Sequence, residues 1–583
     1  MIRYADLQSA AVPKWEERPV NRGRMRAELD HLSHFSRDSL LIDDAALLRG
    51  VLRVEFQWPI ADGRAVDLEA IYPDSFPRLR PHVILRCKPE DYPDRHCAPD
   101  GSLCLLGRDS GLWRSRMTLA DILYSNLAKA LDGSDDEDPQ GEPVEFWWNE
   151  AADRSSGSFV LVDSSWNLAG IDEGRLEIQF VADWQMNPPT IRAAVTKVWD
   201  DKGNIVAQRN SPLPDQILRG RTTTVIPWRR DDTLPMPKQD DLPVLIDRLA
   251  HAKRYESVSG GNIRISATVT RSELQFQKYG DAWVFVLGYS KNTVQFSRNG
   301  MRRIKESAVI LPTYRDGVSD IGGRVPSVST LRDKTIAVIG LGALGSPIAA
   351  DLARNGCRKL IVLDSDIVEP GNSIRWIAGA SAWGLPKADF LKSRIETEYP
   401  WTQVEALTHR IGTASGDPSV IGDDEKLVAA LGEADLVIDA AASTGITFLL
   451  GDYCRASGIP LVSVYGATTL RGGVVAYHHP TSGCPICKET AHDLGTLPRA
   501  PGMGDTSGLL QPPGCSEATF TGASFDLQEL SMEAVRMVVD VLSCPDDFRE
   551  SVIHTLALHD GNRRVPPNWR VDKLPVVREC GCT

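Results

Sequence analysis

The chain has 583 residues, 42% hydrophobic and 25% charged, with a formal net charge of −13. That length predicts three or four ordinary domains, and the composition is that of a soluble globular protein. The acidic balance argues against a general nucleic-acid binder. The opening MIRYADLQSAAVPKWEERPV has no apolar core of the signal-peptide kind. No run of about 18 apolar residues appears, so no membrane span is expected. The expected compartment is the cytoplasm, where the 11 cysteines stay reduced. Close Cys spacings there read as metal or catalysis before disulfide.

In chain order, residues 21–36 predict an amphipathic helix. Val51–Trp58, Ala65–Tyr72 and His82–Arg86 predict strands, being rich in β-branched and apolar residues. Met117–Leu131 predicts a helix, with Leu119, Ile122, Leu123, Leu127 and Leu131 at helical spacing. These elements predict a compact α+β domain over residues 1–150, closing near the acidic stretch 133–139. Residues 151–325 predict a connecting domain, α/β or α+β. Short strand-like pieces (Ser158–Val162, Leu176–Val181, Ile191–Val198, Ala282–Leu287) alternate with polar turns there, and no motif carries chemistry. Residues 326–583 predict a Rossmann-like α/β domain. Ile336–Ile339, Lys359–Leu363, Ala434–Ala441 and Pro460–Tyr465 read as buried parallel strands, with a helix over Ala343–Asn355.

Gly340, Gly342 and Gly345 form G-x-G-x-x-G between that first strand and its helix. Such glycines permit a tight turn and close backbone approach to phosphate at a helix N-terminus. Asp364 ends the next strand, where an acid meets ribose hydroxyls. To this point an NAD-dependent dehydrogenase fits equally well. The continuation, Asp364-Ser-Asp366-Ile-Val-Glu-Pro-Gly-Asn372-Ser-Ile-Arg375 and then Gly384-Leu-Pro-Lys387, resembles the ATP site of the ubiquitin-activating, ThiF/MoeB superfamily. The resemblance implies ATP with Mg2+, Asp364 on the ribose, and Asn372, Arg375 and Lys387 near the phosphates. Cations there would offset the charge that builds as a carboxylate attacks the α-phosphate. The bland alternative is solvated surface charge on a plain Rossmann domain. The family also places a magnesium-binding aspartate in a pattern like Asp-x-x-Asp-Asn. Here the stretch reads Asp439-Ala-Ala-Ala442-Ser443, so Asp439 is kept as metal candidate and Ala442 stands where the acid is expected.

Cys484-Pro-Ile-Cys487 and the terminal Cys580-Gly-Cys582 supply four thiols, the set that structural Zn2+ requires, with a redox pair at 484/487 as the rival. Cys515 follows the Gly/Pro-rich stretch 499–514, read as a loop over the nucleotide site, and precedes a helix carrying Leu527, Leu530, Val535 and Val538. A thiol so placed can attack an acyl-adenylate; the plain alternative is a small buried hydrophobe.

Cys104 lies in Asp100-Gly-Ser-Leu-Cys104-Leu, after Tyr72-Pro…Pro81 and before Trp113, Thr118 and a helix. This stretch resembles ubiquitin-conjugating enzymes. Those carry His-Pro-Asn, with the Asn eight residues before the cysteine; His96 occupies that spacing here. An imidazole there can stabilise an oxyanion or take a proton, or be structural, and Cys97 is the competing nucleophile. The two ends together resemble the fused activating/conjugating proteins of bacterial anti-phage CBASS operons. That resemblance implies adenylation of a partner's C-terminus, from a cGAS/DncV-like nucleotidyltransferase. A thioester on Cys515, transfer to Cys104 and conjugation to an acceptor amine follow. It also implies a homodimer, with Arg324 and Arg332 near the place of an arginine contributed across it. A ThiF/MoeB-like adenylyltransferase for sulfur-carrier proteins, and a non-catalytic scaffold, are the other two readings.

Overall fold

The computed structural model describes residues 19–37, 39–60, 63–87, 92–93, 96–98, 100–106, 113–132, 144–152, 156–185, 187–218, 221–235, 237, 242–254, 256–258, 260–275, 278–291, 306–412, 423–510, 519–580 and 582. Contacts divide it into two units. One comprises residues 1–209 and 219–315, the other residues 210–218 and 316–583. The main segment of the second unit therefore begins at 316, whereas the bound expected was 326, and the unit also takes in residues 210–218 of the middle region.

The first unit opens with helix α1 (Pro19–Phe35) and an antiparallel sheet of β1 (Leu41–Ile42), β2 (Leu52–Pro59), β3 (Ala65–Tyr72) and β4 (His82–Leu85) in that spatial order. Strand β2 alternates as a half-buried strand must: Leu52, Val54, Phe56 and Trp58 turn inward. Helix α2 (Leu119–Asp132) buries Leu119, Ile122, Leu123 and Leu127 against that face. Glu28 of α1 is fully buried and ties three elements together. It accepts from Tyr72 Oη at 3.0 Å, from the Leu119 N–H at 2.9 Å and from Arg24 Nη1 at 3.0 Å. A buried carboxylate left without such partners would be strongly destabilising.

The next helix, α3 (Val144–Ala151), does not belong to this fold. Its Glu145 accepts the Trp283 N–H at 2.6 Å and holds Arg315 at 2.8 Å, and its Asn149 exchanges two 2.7 Å hydrogen bonds with Thr313. The bound expected at residue 150 thus falls inside a helix fastened to the middle region. That region is one mixed sheet. Its strands are β5 (Phe159–Val162), β6 (Glu173–Asp183), β7 (Thr190–Asp200), β8 (Ile205–Gln208), β9 (Thr222–Arg230), β10 (Glu256–Val258), β11 (Gly261–Gln275), β12 (Lys278–Lys291), β13 (Ser307–Leu311) and β14 (Thr313–Arg315). Among the described residues the order is β13-β12-β11-β9-β6-β7-β5-β14, with β10 beside β11 and β8 beside β7. Most pairs are antiparallel; β9–β11, β5–β7 and β5–β14 are parallel. Trp228, Trp283 and Phe285 fill its core.

The second unit holds parallel strands β15 (Thr335–Ile339), β16 (Lys359–Leu363), β17 (Gln403–Leu407), β18 (Leu436–Asp439) and β19 (Leu461–Gly466). The sheet continues antiparallel through β20 (Gly472–His478), then, past the short pair β21 (Leu509–Leu510) and β22 (Thr519–Phe520), through β23 (Val552–Asp560) and β24 (Arg563–Lys573). The order β17-β16-β15-β18-β19 reverses at β15. In open α/β sheets the crevice beyond the carboxyl ends at such a reversal is where ligands sit. Its longer helices include α4 (Gly345–Arg354), α5 (Lys387–Glu398), α6 (Thr444–Ser457), α7 (Pro485–Asp493) and α8 (Ser524–Ser543). Among the described residues no helix is long and apolar enough to cross a membrane.

Candidate functional site

The loop between β15 and α4 lies at the reversal point. Gly340 has φ +83°, and a Cβ there would meet Ala441 Cα at 2.6 Å; a Cβ on Gly345 would meet the Gly340 carbonyl oxygen at 1.9 Å. Packing alone demands these two glycines. Gly342 differs: a Cβ would find no protein atom within 4 Å, so its missing side chain leaves open space at the start of α4, whose N-cap residue makes no side-chain capping bond. The Ser346 N–H donates to the Gly342 carbonyl at 3.1 Å, and it is the positive end of the helix dipole facing that open space that favours an anion.

Asp364 fixes this loop. Its Oδ2 accepts the Leu341 N–H at 2.7 Å and its Oδ1 accepts the Asp366 N–H at 2.8 Å. Burial raises its pKa, against the pull of Lys387. Lys387 is buried at the start of α5 and donates to Asp366 Oδ2 at 2.8 Å. Asn372 Oδ1 accepts the Glu369 N–H at 3.0 Å. Arg375 donates to the Phe520 carbonyl at 2.6 Å and stacks its guanidinium 4.7 Å from that ring's centre. Burial lowers the Arg375 pKa. Trp376, which sequence reasoning missed, donates its indole N–H to the Leu341 carbonyl at 2.6 Å and so holds the glycine loop from outside; its position directly after Arg375 was the available signal.

Asp439 is 2% exposed at the end of β18. Its oxygens accept from the Thr447 hydroxyl at 2.5 Å and the Ala441 N–H at 3.1 Å, and burial raises its pKa. These bonds fasten the start of α6 to the sheet. Ala442 is exposed, at φ +55°, and offers no ligand atom. Among the described residues the donors here do not make an all-protein cage for Mg2+, an ion that is commonly held by substrate phosphates and water with one or two carboxylates. Cys515 lies outside the described residues. The antiparallel pair β21–β22, with Leu509 opposite Phe520, brackets its segment, and Arg375 touches that pair through Phe520.

Elsewhere in this unit, Cys484 caps the N-terminus of α7, and its sulfur meets that of Cys580 at 3.6 Å. Cys487 reaches Cys580 at 3.1 Å and Cys582 at 3.3 Å, and all four sulfurs lie within 4.8 Å of one another. Tetrahedral zinc with thiolates at about 2.3 Å would set sulfurs roughly 3.8 Å apart, so the cluster fits that ion. The Val577 N–H points at Cys487 Sγ at 3.3 Å and the Cys487 N–H at Cys484 Sγ at 3.4 Å. Burial pushes Cys484 up to about 11. Against burial, the Val577 N–H and the neighbouring thiols bring Cys487 down to about 7. A redox pair would use two sulfurs; here the tail brings two more into the same space.

In the first unit, residues 96–98 pair back on residues 102–104. The Cys104 N–H donates to the His96 carbonyl at 2.8 Å, Cys97 bridges to Leu103, and the Ala98 N–H donates to Ser102 at 2.8 Å. The pairing separates the two cysteines. Cys97 is 2% exposed among the core side chains, whereas Cys104 is half-buried. His96 is buried, with φ +59°. Cys104 and His96 line a cavity of about 630 Å³ that also takes in His82, hydrogen-bonded to Ser102 at 2.8 Å, and Phe146, Trp147 and Glu150 of α3. The α3 residues and His82 were not among the expected site residues, because no motif marks them.

Residues 318–513 match the ThiF family, so the second unit carries a ThiF/MoeB-type adenylation domain. The whole chain belongs to the family of protein y4qC of Sinorhizobium fredii, an uncharacterized protein to which it is 50% identical over 587 residues, covering 100% of both. Two further relatives match in part. The SAMP-activating enzyme E1 of Haloferax volcanii is 30% identical over 191 residues, 32% of this chain and 66% of that protein. The adenylyltransferase and sulfurtransferase MOCS3 of Aedes aegypti is 28% identical over 193 residues, 33% of this chain and 41% of that protein.

Proposed function

We propose that the chain activates the C-terminal carboxylate of a partner protein with ATP and carries the acyl group on sulfur to an acceptor amine. The observation that carries this reading is the pairing, in one chain, of a ThiF-family domain whose Gly342 leaves open space at a helix N-terminus with a second, accessible thiol, Cys104, facing a cavity. In the first step a carboxylate oxygen attacks the α-phosphorus and pyrophosphate leaves. Asp364, Asn372, Arg375 and Lys387 would surround the nucleotide, and Mg2+, held chiefly by the substrate's own phosphates and water, would help neutralise their charge. The Cys515 thiolate then attacks the acyl carbon and AMP leaves. Exchange of thioester from Cys515 to Cys104 conserves the energy of the bond, and an amine finally displaces Cys104. Zn2+ on Cys484, Cys487, Cys580 and Cys582 holds the tail in place and takes no part in the chemistry.

The partner best matched to a two-thiol chain is a cGAS-like nucleotidyltransferase of an anti-phage system, acting with a homodimer of this protein in the cytoplasm. The second reading, adenylation of a sulfur-carrier or ubiquitin-like protein, is favoured by the names of the partial relatives, but leaves Cys104 and its cavity without a task. The test is ATP–pyrophosphate exchange with each candidate tail, followed by trapping on Cys104→Ser. A stable ester on Ser that disappears with Cys515→Ala supports the relay. Exchange without any adduct at position 104, in the presence of Cys97→Ser as control, supports the second reading.

A further inference from the structure

Helix α3 stands outside the fold that carries Cys104, yet it supplies one wall of the Cys104 cavity. Its other face is immobilised: Trp148 is 1% exposed, Glu145 holds Arg315 and the Trp283 N–H, and Asn149 is paired with Thr313. Phe146, Trp147 and Glu150, at helical spacings of three and four, share the remaining face and line the cavity. The Phe146 and Trp147 rings pack edge to face, 4.9 Å between centres. Glu150 is exposed at the last turn. Two aromatic rings beside a carboxylate suit an alkylammonium group. The rings take the alkyl stem and attract the cation, and the carboxylate accepts its N–H bonds. A volume of about 630 Å³ leaves room for a thioester-bound tail as well.

We propose that α3 is the acceptor wall of the Cys104 site, with Glu150 receiving the ammonium of a lysine-type primary amine and Trp147 holding its alkyl stem. The inference rests on Cys104 carrying an acyl group. An ammonium has no lone pair, so one proton passes to Glu150 and on to water. The neutral nitrogen then attacks the thioester carbon, the C–S bond breaks, and sulfur leaves with the second proton. Amide, thiol and one proton are the products.

The test uses the full chain and needs no partner protein. Cys104 is charged by exchange with the 2-mercaptoethanesulfonate thioester of acetylglycine, and the adduct on the Cys104 peptide is followed by mass spectrometry. Free lysine should discharge wild type about tenfold faster than Glu150→Gln or Trp147→Ala, whereas hydroxylamine, already neutral at pH 7, should discharge all three alike. Glu150→Asp should recover part of the lysine rate. Equal effects on lysine and hydroxylamine, or none on either, overturn the acceptor wall. Failure of wild type to hold any adduct on Cys104 overturns the thiol reading beneath it.

Discussion

Gly342→Ala separates a glycine kept for a ligand from glycines kept for packing. The new methyl would meet no protein atom within 4 Å, and Gly342 is not in the left-handed region. Replacing glycine at a compatible position usually stabilises by about 0.4–1 kcal/mol, through the unfolded chain. In a unit of this size that raises Tm by roughly 1–4 °C. The same methyl occupies the open space before α4, where a phosphate would rest. Losing one charge-assisted N–H contact costs about 1.5–3 kcal/mol, a roughly tenfold to 150-fold weaker affinity for ATP. Gly345→Ala is the contrast. Its Cβ would lie 1.9 Å from the Gly340 carbonyl oxygen, so the backbone must shift and stability should fall by about 1–3 kcal/mol. Thermal unfolding without nucleotide and equilibrium binding of a fluorescent ATP analogue read the two effects separately. If Gly342→Ala lowers Tm as Gly345→Ala does, or binds ATP like wild type, the assignment of that space to phosphate is wrong.

Two further outcomes are expected. Purified protein should contain one zinc per chain by elemental analysis, and Cys487→Ser or a strong chelator should remove it. At a free zinc a thousandfold above Kd the lost stabilisation is about 4 kcal/mol, and a metal-free wild type of unchanged Tm would count against the cluster. His478 is buried between Ser463 Oγ at 3.1 Å and the Gly483 carbonyl at 3.2 Å, and burial, with Lys488 nearby, brings its pKa down from 6.5 to about 3. Below pH 6.5 the unfolded chain takes a proton that the folded chain refuses until about pH 3, so stability falls with falling pH across that window. At pH 5.5 this amounts to about 1.4 kcal/mol, and His478→Gln should flatten the slope by that much in urea unfolding at pH 7.5 and 5.5; parallel slopes would refute it.

How much of this was legible in the sequence depended on the period of each element. Strands such as Thr335–Ile339 and Lys359–Leu363 are short, apolar after their first residue and followed by glycine or acid, so a buried parallel sheet could be read directly. Strand β2 and helix α2 likewise announce themselves through spacings of two and of three or four. The antiparallel extension β23–β24 does not. Strand β24, RRVPPNWRVDK, is polar and carries two prolines, which an edge strand tolerates and a central one does not. The middle region hid its architecture for a different reason: it pairs β5 with β14, setting Thr313 opposite Val160 across most of the region's length, and no local pattern reports such a pairing.

The same limit governs the sites. Gly340, Gly345 and Asp364 are legible because backbone geometry leaves few residue types able to stand there. Asp439 was kept as a metal candidate because Ala442 stands where the resemblance expects the magnesium-binding aspartate, yet its hydrogen bonds face Thr447 and Ala441. The Thr447 hydroxyl lies eight residues on, one turn into α6, and a carboxylate anchoring a helix start looks in sequence like a carboxylate waiting for an ion. Glu150 is the converse. Nothing in Val-Glu-Phe-Trp-Trp-Asn-Glu-Ala marks a site, because its meaning arises only when Glu145 and Asn149 fasten one face of the helix to the middle sheet and turn the other towards Cys104. A motif records chemistry that one segment performs alone; a wall contributed by a neighbouring fold is written in the anchoring contacts instead.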